Sequence, residues 1–414
     1  MKPLSLREEM LNERQRKNLS ILEAIKRFGP VSKTDIGKLS GLNIVTVTNY
    51  IDHFLRSNIV FEKELDISTG GRRPVLLDLN DRAGYAIGIG MNLLNTVGVV
   101  TDFDGTVVHR VEKESLDLSS KEIAQSLIEV IRQLLNANAI SKDKIQGVGI
   151  GLAGVVNNKT GSVRWPEKLA GSNCSYASVY LPLRDMIKNE FGLSCTLEND
   201  ATVACFGEQW LGMDADVENL IYMFSGVGCG IMINREIYRG TTGSAGELSI
   251  HNAKDDLPSK CDFGSPCLMK RWEADLGLVN EAKVILGGKG ASKYKDSKIM
   301  ELAGAETDSI KLMHIFEAAK QNDALAGILV ERAGKLLGIK IAYLVNLLNP
   351  QLVIIGGGIE KAGDKLLDAV KETVSRWAFE DTAGAVKIIP SRFGEDSVAL
   401  GAASLVVRNI FTQI

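Results

Sequence analysis

Residues 32–79 read SKTDIGKLSGLNIVTVTNYIDHFLRSNIVFEKELDISTGGRRPVLLDL: two helical patterns, then two strand patterns around a glycine- and arginine-rich turn. Ser32-Lys33-Thr34-Asp35 has the spacing of a capping box, with Asp in the last position. The helix it opens turns Ile36 and Leu39 inward and stops at Gly41. After the short turn Ser40-Gly41-Leu42, a second helix from near Asn43 sets Val47, Ile51, Phe54 and Leu55 on one face. This is the helix-turn-helix layout. Residues 59–65 and 74–79 read as strands joined by residues 66–73, which end Gly70-Gly71-Arg72-Arg73. Such a hairpin is a wing whose flexible glycines let Arg72 and Arg73 approach phosphates or a narrow minor groove. Thr46, Thr48, Asn49 and Tyr50 lie largely off the apolar stripe, where they could reach base edges. A trihelical protein-interaction module is the competing reading, and the wing arginines weigh against it.

Upstream, Leu19, Ile21, Leu22, Ile25 and Phe28 recur at helical spacing until Gly29-Pro30 breaks the pattern. At 414 residues the chain is too long for one ordinary core, so at least two domains are expected. Its 45% hydrophobic and 24% charged content is that of a globular protein. The net charge of −3 argues against nucleic-acid contact over the whole surface. Residues 1–80 hold 13 Lys+Arg against 10 Asp+Glu, net +3, which leaves 35 against 41, net −6, for the rest. A mildly basic head on an acidic body fits local DNA contact. The first residues, MKPLSLREEMLNERQRKN, contain no apolar stretch of the signal-peptide kind, and no long uncharged apolar run follows. Six cysteines are scattered, three of them (Cys195, Cys205, Cys229) in or beside apolar segments, so reduced thiols in a cytoplasmic protein are expected.

Residues 83–100 are apolar and β-rich, and Asp104-Gly105 supplies a tight turn before a strand at 106–111. A helix at 121–136 and a strand at 145–152 follow, and strand–helix alternation resumes from Asn219 to the strand 352–355. Alternation of this kind implies a mainly parallel α/β sheet, here in two lobes with a ligand-holding cleft between them.

Several segments then resemble one family. Leu197-Glu198-Asn199-Asp200-Ala201 matches an E-N-D-A segment, Gly226-Val227-Gly228-Cys229-Gly230 a glycine-rich loop, and Ala245-Gly246-Glu247-Leu248 an A-G-E-[IL] sugar-contact segment. Gly151–Val156 resembles a G-x-x-G-x-V turn, and Gly356-Gly357-Gly358 the glycines near the adenosine end of a kinase site. Their shared order and spacing resemble the ROK proteins, bacterial sugar kinases and sugar-responsive repressors. The resemblance implies an α/β fold: a winged helix-turn-helix over residues 1–80, then an actin-like, ribonuclease H-like sugar-kinase fold over 81–414. Within that fold, residues 81–197 plus the C-terminal helix would form the small lobe and 198–397 the large one. It implies sugar contacts from Asn199, Asp200 and Glu247, with Asp200 in the place of the kinases' general base. The alternative for Asn199-Asp200 is a helix cap.

Two departures separate the chain from the kinases. Their aspartate-x-glycine-glycine-threonine phosphate turn corresponds to Gly90-Met91-Asn92-Leu93-Leu94, which lacks both the carboxylate and the hydroxyl. Their zinc pattern is also degraded: Ile250 takes the histidine's place with His251 one residue later, Phe263 replaces the middle cysteine, and Met269 replaces a glutamate. His251, Cys261 and Cys267 remain as candidate ligands, one short of a tetrahedral set, so no cofactor or metal is expected. His251 is retained as a sugar contact by the resemblance alone. The expected protein is a repressor that binds a double-stranded DNA operator as a homodimer or homotetramer and responds to a sugar without phosphorylating it. An ATP-dependent sugar kinase with an accessory DNA-binding head is the alternative, and a body that senses a partner protein is a third possibility.

Overall fold

A computed structural model describes residues 11–63, 75–91, 94–114, 120–137, 140–157, 160–168, 176–212, 217–225, 228–248, 275–288 and 291–414. Arg72, Arg73 and His251 lie outside the described residues, as do Cys261 and Cys267.

The head holds α1 (Glu13–Phe28), β1 (Val31–Ser32), α2 (Lys33–Ser40), α3 (Ile44–Arg56), β2 (Val60–Lys63) and β3 (Leu76–Leu79). Helix α1 begins six residues before Leu19, the first apolar-periodic position, because Asn12 and Gln15 cap each other's backbone N–H groups. The Ser32 hydroxyl accepts the Asp35 N–H at 3.1 Å to start α2, which ends at Gly41 with φ 69°. The Asn43 side chain accepts the Thr46 N–H at 2.8 Å to start α3. Ile21, Ile25, Ile36, Val47, Ile51, Phe54 and Leu77 close the core beneath an antiparallel sheet of order β1-β3-β2.

The body follows with β4 (Tyr85–Met91), β5 (Asn95–Asp102), β6 (Val107–Glu114), α4 (Ser120–Asn136) and β7 (Ile145–Leu152). Next come β8 (Val155–Asn157), β9 (Ser162–Lys168), β10 (Tyr176–Leu181), α5 (Leu183–Phe191), β11 (Cys195–Asn199) and α6 (Asp200–Gly212). Then come β12 (Leu220–Phe224), β13 (Gly228–Ile233), β14 (Glu236–Ile237), α7 (Leu278–Gly287), α8 (Lys298–Leu302), α9 (Leu312–Lys320) and α10 (Ala324–Leu348). The chain ends with β15 (Leu352–Gly356), α11 (Asp364–Trp377), α12 (Glu380–Ala385), β16 (Lys387–Pro390) and α13 (Ser397–Gln413).

Two five-stranded sheets, β11-β7-β4-β5-β6 and β14-β13-β12-β15-β16, have the same internal order. In each, the first three strands in chain order form an antiparallel meander, and the next two join parallel to the first strand's free side. Strands β8, β9 and β10 form a small antiparallel sheet that no period-2 signal announces. Cys195, Cys205 and Cys229 are buried free thiols.

Helices α6 and α13 lie against each other between the sheets. A Cβ on Gly207 of α6 would stand 2.6 Å from the Gly401 Cα of α13, so the backbones touch and neither position has room for a side chain. The same apolar cluster runs on into the head, where Ile21 and Leu22 join Phe103, Trp210 and Phe411. Among the described residues, no helix is long and apolar enough to cross a membrane.

Gly207→Ala is expected to destabilise the chain by about 1–3 kcal/mol through overpacking. A urea midpoint equal to that of the native chain would show that the two helices do not approach this closely.

Candidate functional site

Strand β11 ends at Asn199 and α6 starts at Asp200, so both side chains sit at the carboxyl end of a sheet strand, where open α/β folds bind ligands. Asn199 Oδ1 accepts the Thr202 N–H at 3.2 Å, and its Nδ2 donates to the Gly154 carbonyl at 3.3 Å. Asn199 therefore does cap the helix. Its amide still keeps a second N–H and a second oxygen lone pair for a ligand. The contact with Gly154 also joins the 151–156 turn to the E-N-D-A segment, two motifs that lie far apart in sequence.

Asp200 is buried, and its Oδ1 accepts the Ala201 N–H at 2.7 Å. Burial pushes its carboxyl up to about 7, the Ala201 hydrogen bond opposes that rise, and the neighbouring Glu247 carboxylate adds to it. Glu247 itself lies on the accessible edge of the loop after β14. Partial burial nevertheless raises its carboxyl, with Arg164 pulling it down. The Gly246 carbonyl accepts the Cys229 N–H at 2.8 Å, and Gly228 bridges to Glu247, so β13 fixes this loop. The structure thus brings Asn199, Asp200 and Glu247 into one neighbourhood. It adds Arg164 on β9 and the pair Glu198–Arg239, which no sequence spacing links.

Asn92 and Leu93 of the stretch that corresponds to the kinase phosphate turn lie outside the described residues, whereas Gly90, in the place of its aspartate, is described. A Cβ on Gly90 would stand 2.6 Å from Ala399 N of α13, so an aspartate there would collide with the helix. Leu94 packs into the apolar cluster of the second sheet. Gly357 and Gly358 both have positive φ, and the Gly358 N–H donates to Glu360 Oε2 at 2.8 Å. Burial pushes the Glu360 carboxyl up to about 6.

On the head, Asn49 is exposed while Thr46 and Thr48 are half-buried along α3. Tyr50 is half-buried, with its ring edge-on to Phe54 at 6.3 Å, so much of its surface serves packing. Ile44 and Val45, at the start of α3, are exposed apolar side chains that the stripe pattern did not single out. Among the described residues, no cluster of three or more His, Cys, Asp or Glu is arranged to hold a metal.

The sequence pattern of the ROK family matches residues 85–409. A putative xylose repressor of Caldicellulosiruptor sp. (strain Rt8B.4) is 30% identical over 96% of this chain and 96% of its own. A glucokinase of Halalkalibacterium halodurans is 27% identical over 79% of this chain and 96% of its own. A solved structure described as a ROK family transcriptional regulator, homologue of the E. coli MLC protein, superposes with a TM-score of 0.71 at 22% identity, covering 96% of this chain and 97% of that one. The motifs, the paired sheets and the end-to-end similarity agree, and this chain belongs to the ROK family.

Proposed function

We propose that this protein is a sugar-responsive transcriptional repressor that binds its effector in a kinase-like cleft without phosphorylating it. Residues 1–80 form a winged helix-turn-helix. Residues 81–414 form an actin-like, two-lobed sensor, with 81–197 plus the C-terminal helix set against 198–397, except that β11 carries Glu198 and Asn199 on the first sheet and so moves the boundary past Asn199. Asn49, Thr46, Thr48 and Tyr50 of α3 face the major groove, and the wing arginines Arg72 and Arg73 meet the backbone or the minor groove. Two heads read a palindromic operator, so the working unit is a homodimer or an even assembly built from it.

The observation that carries this proposal is the packing of α13 against Gly90. Phosphoryl transfer depends almost wholly on positioning and charge stabilisation, and the helix contacts at Gly90 leave no room for the aspartate that the kinases carry at this position. The sugar-binding groups persist: hydroxyls both donate and accept, and Asn199, Asp200 and Glu247 offer complementary partners, with His251 assigned to the same site by resemblance. Asp200 serves there as an acceptor, no longer as a base. The end-to-end similarity to a xylose repressor makes D-xylose the first effector to test.

Helix α6 supplies the link from cleft to head. Its 13 residues span about 20 Å. Its first residue is Asp200, and near its end the Gln209 carbonyl accepts the Arg27 guanidinium at 3.5 Å while the Trp210 ring lies 6.0 Å beneath Lys26 Nζ. A ligand that prefers one lobe arrangement thereby biases the seat of the head.

Purified protein should retard its own upstream DNA in a mobility-shift assay, and the effector sugar should change that affinity by about tenfold. Asp200→Ala should abolish the sugar response. No retardation with or without sugars would contradict the proposal, and robust ATP consumption on the same sugars, lost in Asp200→Asn, would replace it with a kinase.

The raised Asp200 carboxyl sets a pH dependence. The folded state favours its protonated form, so its contribution to stability is present below the ordinary carboxylate range and is lost as pH rises through about 7. A sugar that needs the ionised acceptor should bind about tenfold more tightly at pH 8 than at pH 6. Calorimetry on Asp200→Asn should give a flat profile; a flat profile in the native chain would remove Asp200 from the site.

A further inference from the structure

Glu198 and Arg239 come from different sheets. Glu198 is the penultimate residue of β11, and Arg239 follows β14 at the edge of the other sheet. Their side chains join the two sheets: Glu198 Oε2 accepts Arg239 Nε at 2.8 Å and Nη2 at 2.7 Å. The Glu198 side chain is almost fully buried and that of Arg239 is one-third exposed. The other carboxylate oxygen, Oε1, accepts the backbone N–H of Asn199 at 3.0 Å. One buried carboxylate therefore holds both the guanidinium and the residue that begins the ligand-binding pair.

Arg239 is tied at its other end as well. Its backbone carbonyl accepts the Ala245 N–H at 3.2 Å, two residues before Glu247. A short continuous path results: Asn199 backbone, Glu198 carboxylate, Arg239 side chain, Arg239 carbonyl, Ala245, Glu247. Each step is a hydrogen bond or a few covalent bonds, and its two ends are the groups proposed above to contact the sugar.

Burying an ion pair is a poor route to stability, because desolvation offsets most of the attraction. Its use lies in direction. Paired N–H donors on one oxygen fix the guanidinium plane, which a single contact would leave free to swing. We infer that Arg239 is a positioning residue of the ligand site: through Glu198 it sets the separation of Glu247 from Asn199 and Asp200, and so the sugar affinity. This rests on the sugar-binding proposal above and adds a residue to it.

The test is calorimetric titration of the full chain with D-xylose, D-glucose and N-acetylglucosamine, in the native protein and in Arg239→Gln, Arg239→Lys and Glu198→Gln. Loss of the charged hydrogen bonds should weaken binding of the accepted sugar by about tenfold or more in Arg239→Gln. Arg239→Lys, which keeps the charge and one donor, should recover part of that loss. The double variant Arg239→Gln/Glu198→Gln should bind no more weakly than the worse single variant, because both act through one contact. A brace with no role at the site would lower the melting temperature yet leave sugar affinity within about twofold in all three single variants, and that result overturns the inference. Should Arg239→Gln fail to fold, Arg239→Lys alone decides: unchanged affinity overturns the assignment, and an intermediate loss supports it. If the native chain binds none of the three sugars, the sugar-binding proposal falls, and this assignment with it.

Discussion

The close approach of α6 to α13 at Gly207 and Gly401 is the contact on which the other features depend. With no side chain between them, the two helices behave as one slab set between the sheets. At one end of the slab, α6 presents Asp200 to the cleft. On its flank, α13 packs against Gly90 so closely that a side chain at that position has no room. At the far end both helices reach the head: Gln209 and Trp210 meet Arg27 and Lys26, and the Ile414 carbonyl receives Arg14 Nη2 at 3.0 Å and lies 2.9 Å from His53 Nε2. His53 belongs to α3, so the body touches the helix proposed to read DNA.

The seam between head and body combines an apolar centre with a charged rim. Phe411 packs against Phe103 and Trp210 with ring centroids 6.0 and 6.2 Å apart, beside Ile21 and Leu22 of α1. At the rim, Lys26 Nζ binds the Asp104 carbonyl at 3.0 Å and its carboxylate at 3.2 Å. Burial raises the carboxyl of Glu23, while Arg27, Arg408 and Arg235 pull it down. A seam of this composition holds the head in a defined pose yet leaves polar contacts that can exchange when the slab shifts. The proposed ligand-driven switch needs a two-state element, and this seam is the contact that such an element would have to change.

Much of the head is legible in the sequence because its signals are local. Ser32, Gly41 and Asn43 mark helix ends by chemistry that acts within four residues, and the 3.6 period finds Val47, Ile51 and Phe54. The start of α1 escaped that method because Asn12 and Gln15 form a cap outside the apolar stripe. Tyr50, largely off the apolar stripe in the sequence, is half-buried with its ring against Phe54. In the body, resemblance singles out Asn199, Asp200 and Glu247 as candidates but says nothing of their surroundings. The matching strand order of the two sheets, the small β8–β10 sheet and the Glu198–Arg239 pair all depend on contacts between residues distant in sequence, and no local period encodes them. Asn199 illustrates the overlap: cap and ligand group were alternatives in the sequence, and its amide has the valence to serve as both.

The central claim is that one chain couples a sugar site to a DNA-binding head, and coupling of this kind is reciprocal. The most direct measurement is the sugar dissociation constant of the full-length protein, free and saturated with its operator, set beside the operator dissociation constant with and without sugar. The account predicts that both ratios differ from one by the same factor. Tight binding of both ligands with both ratios equal to one would contradict it.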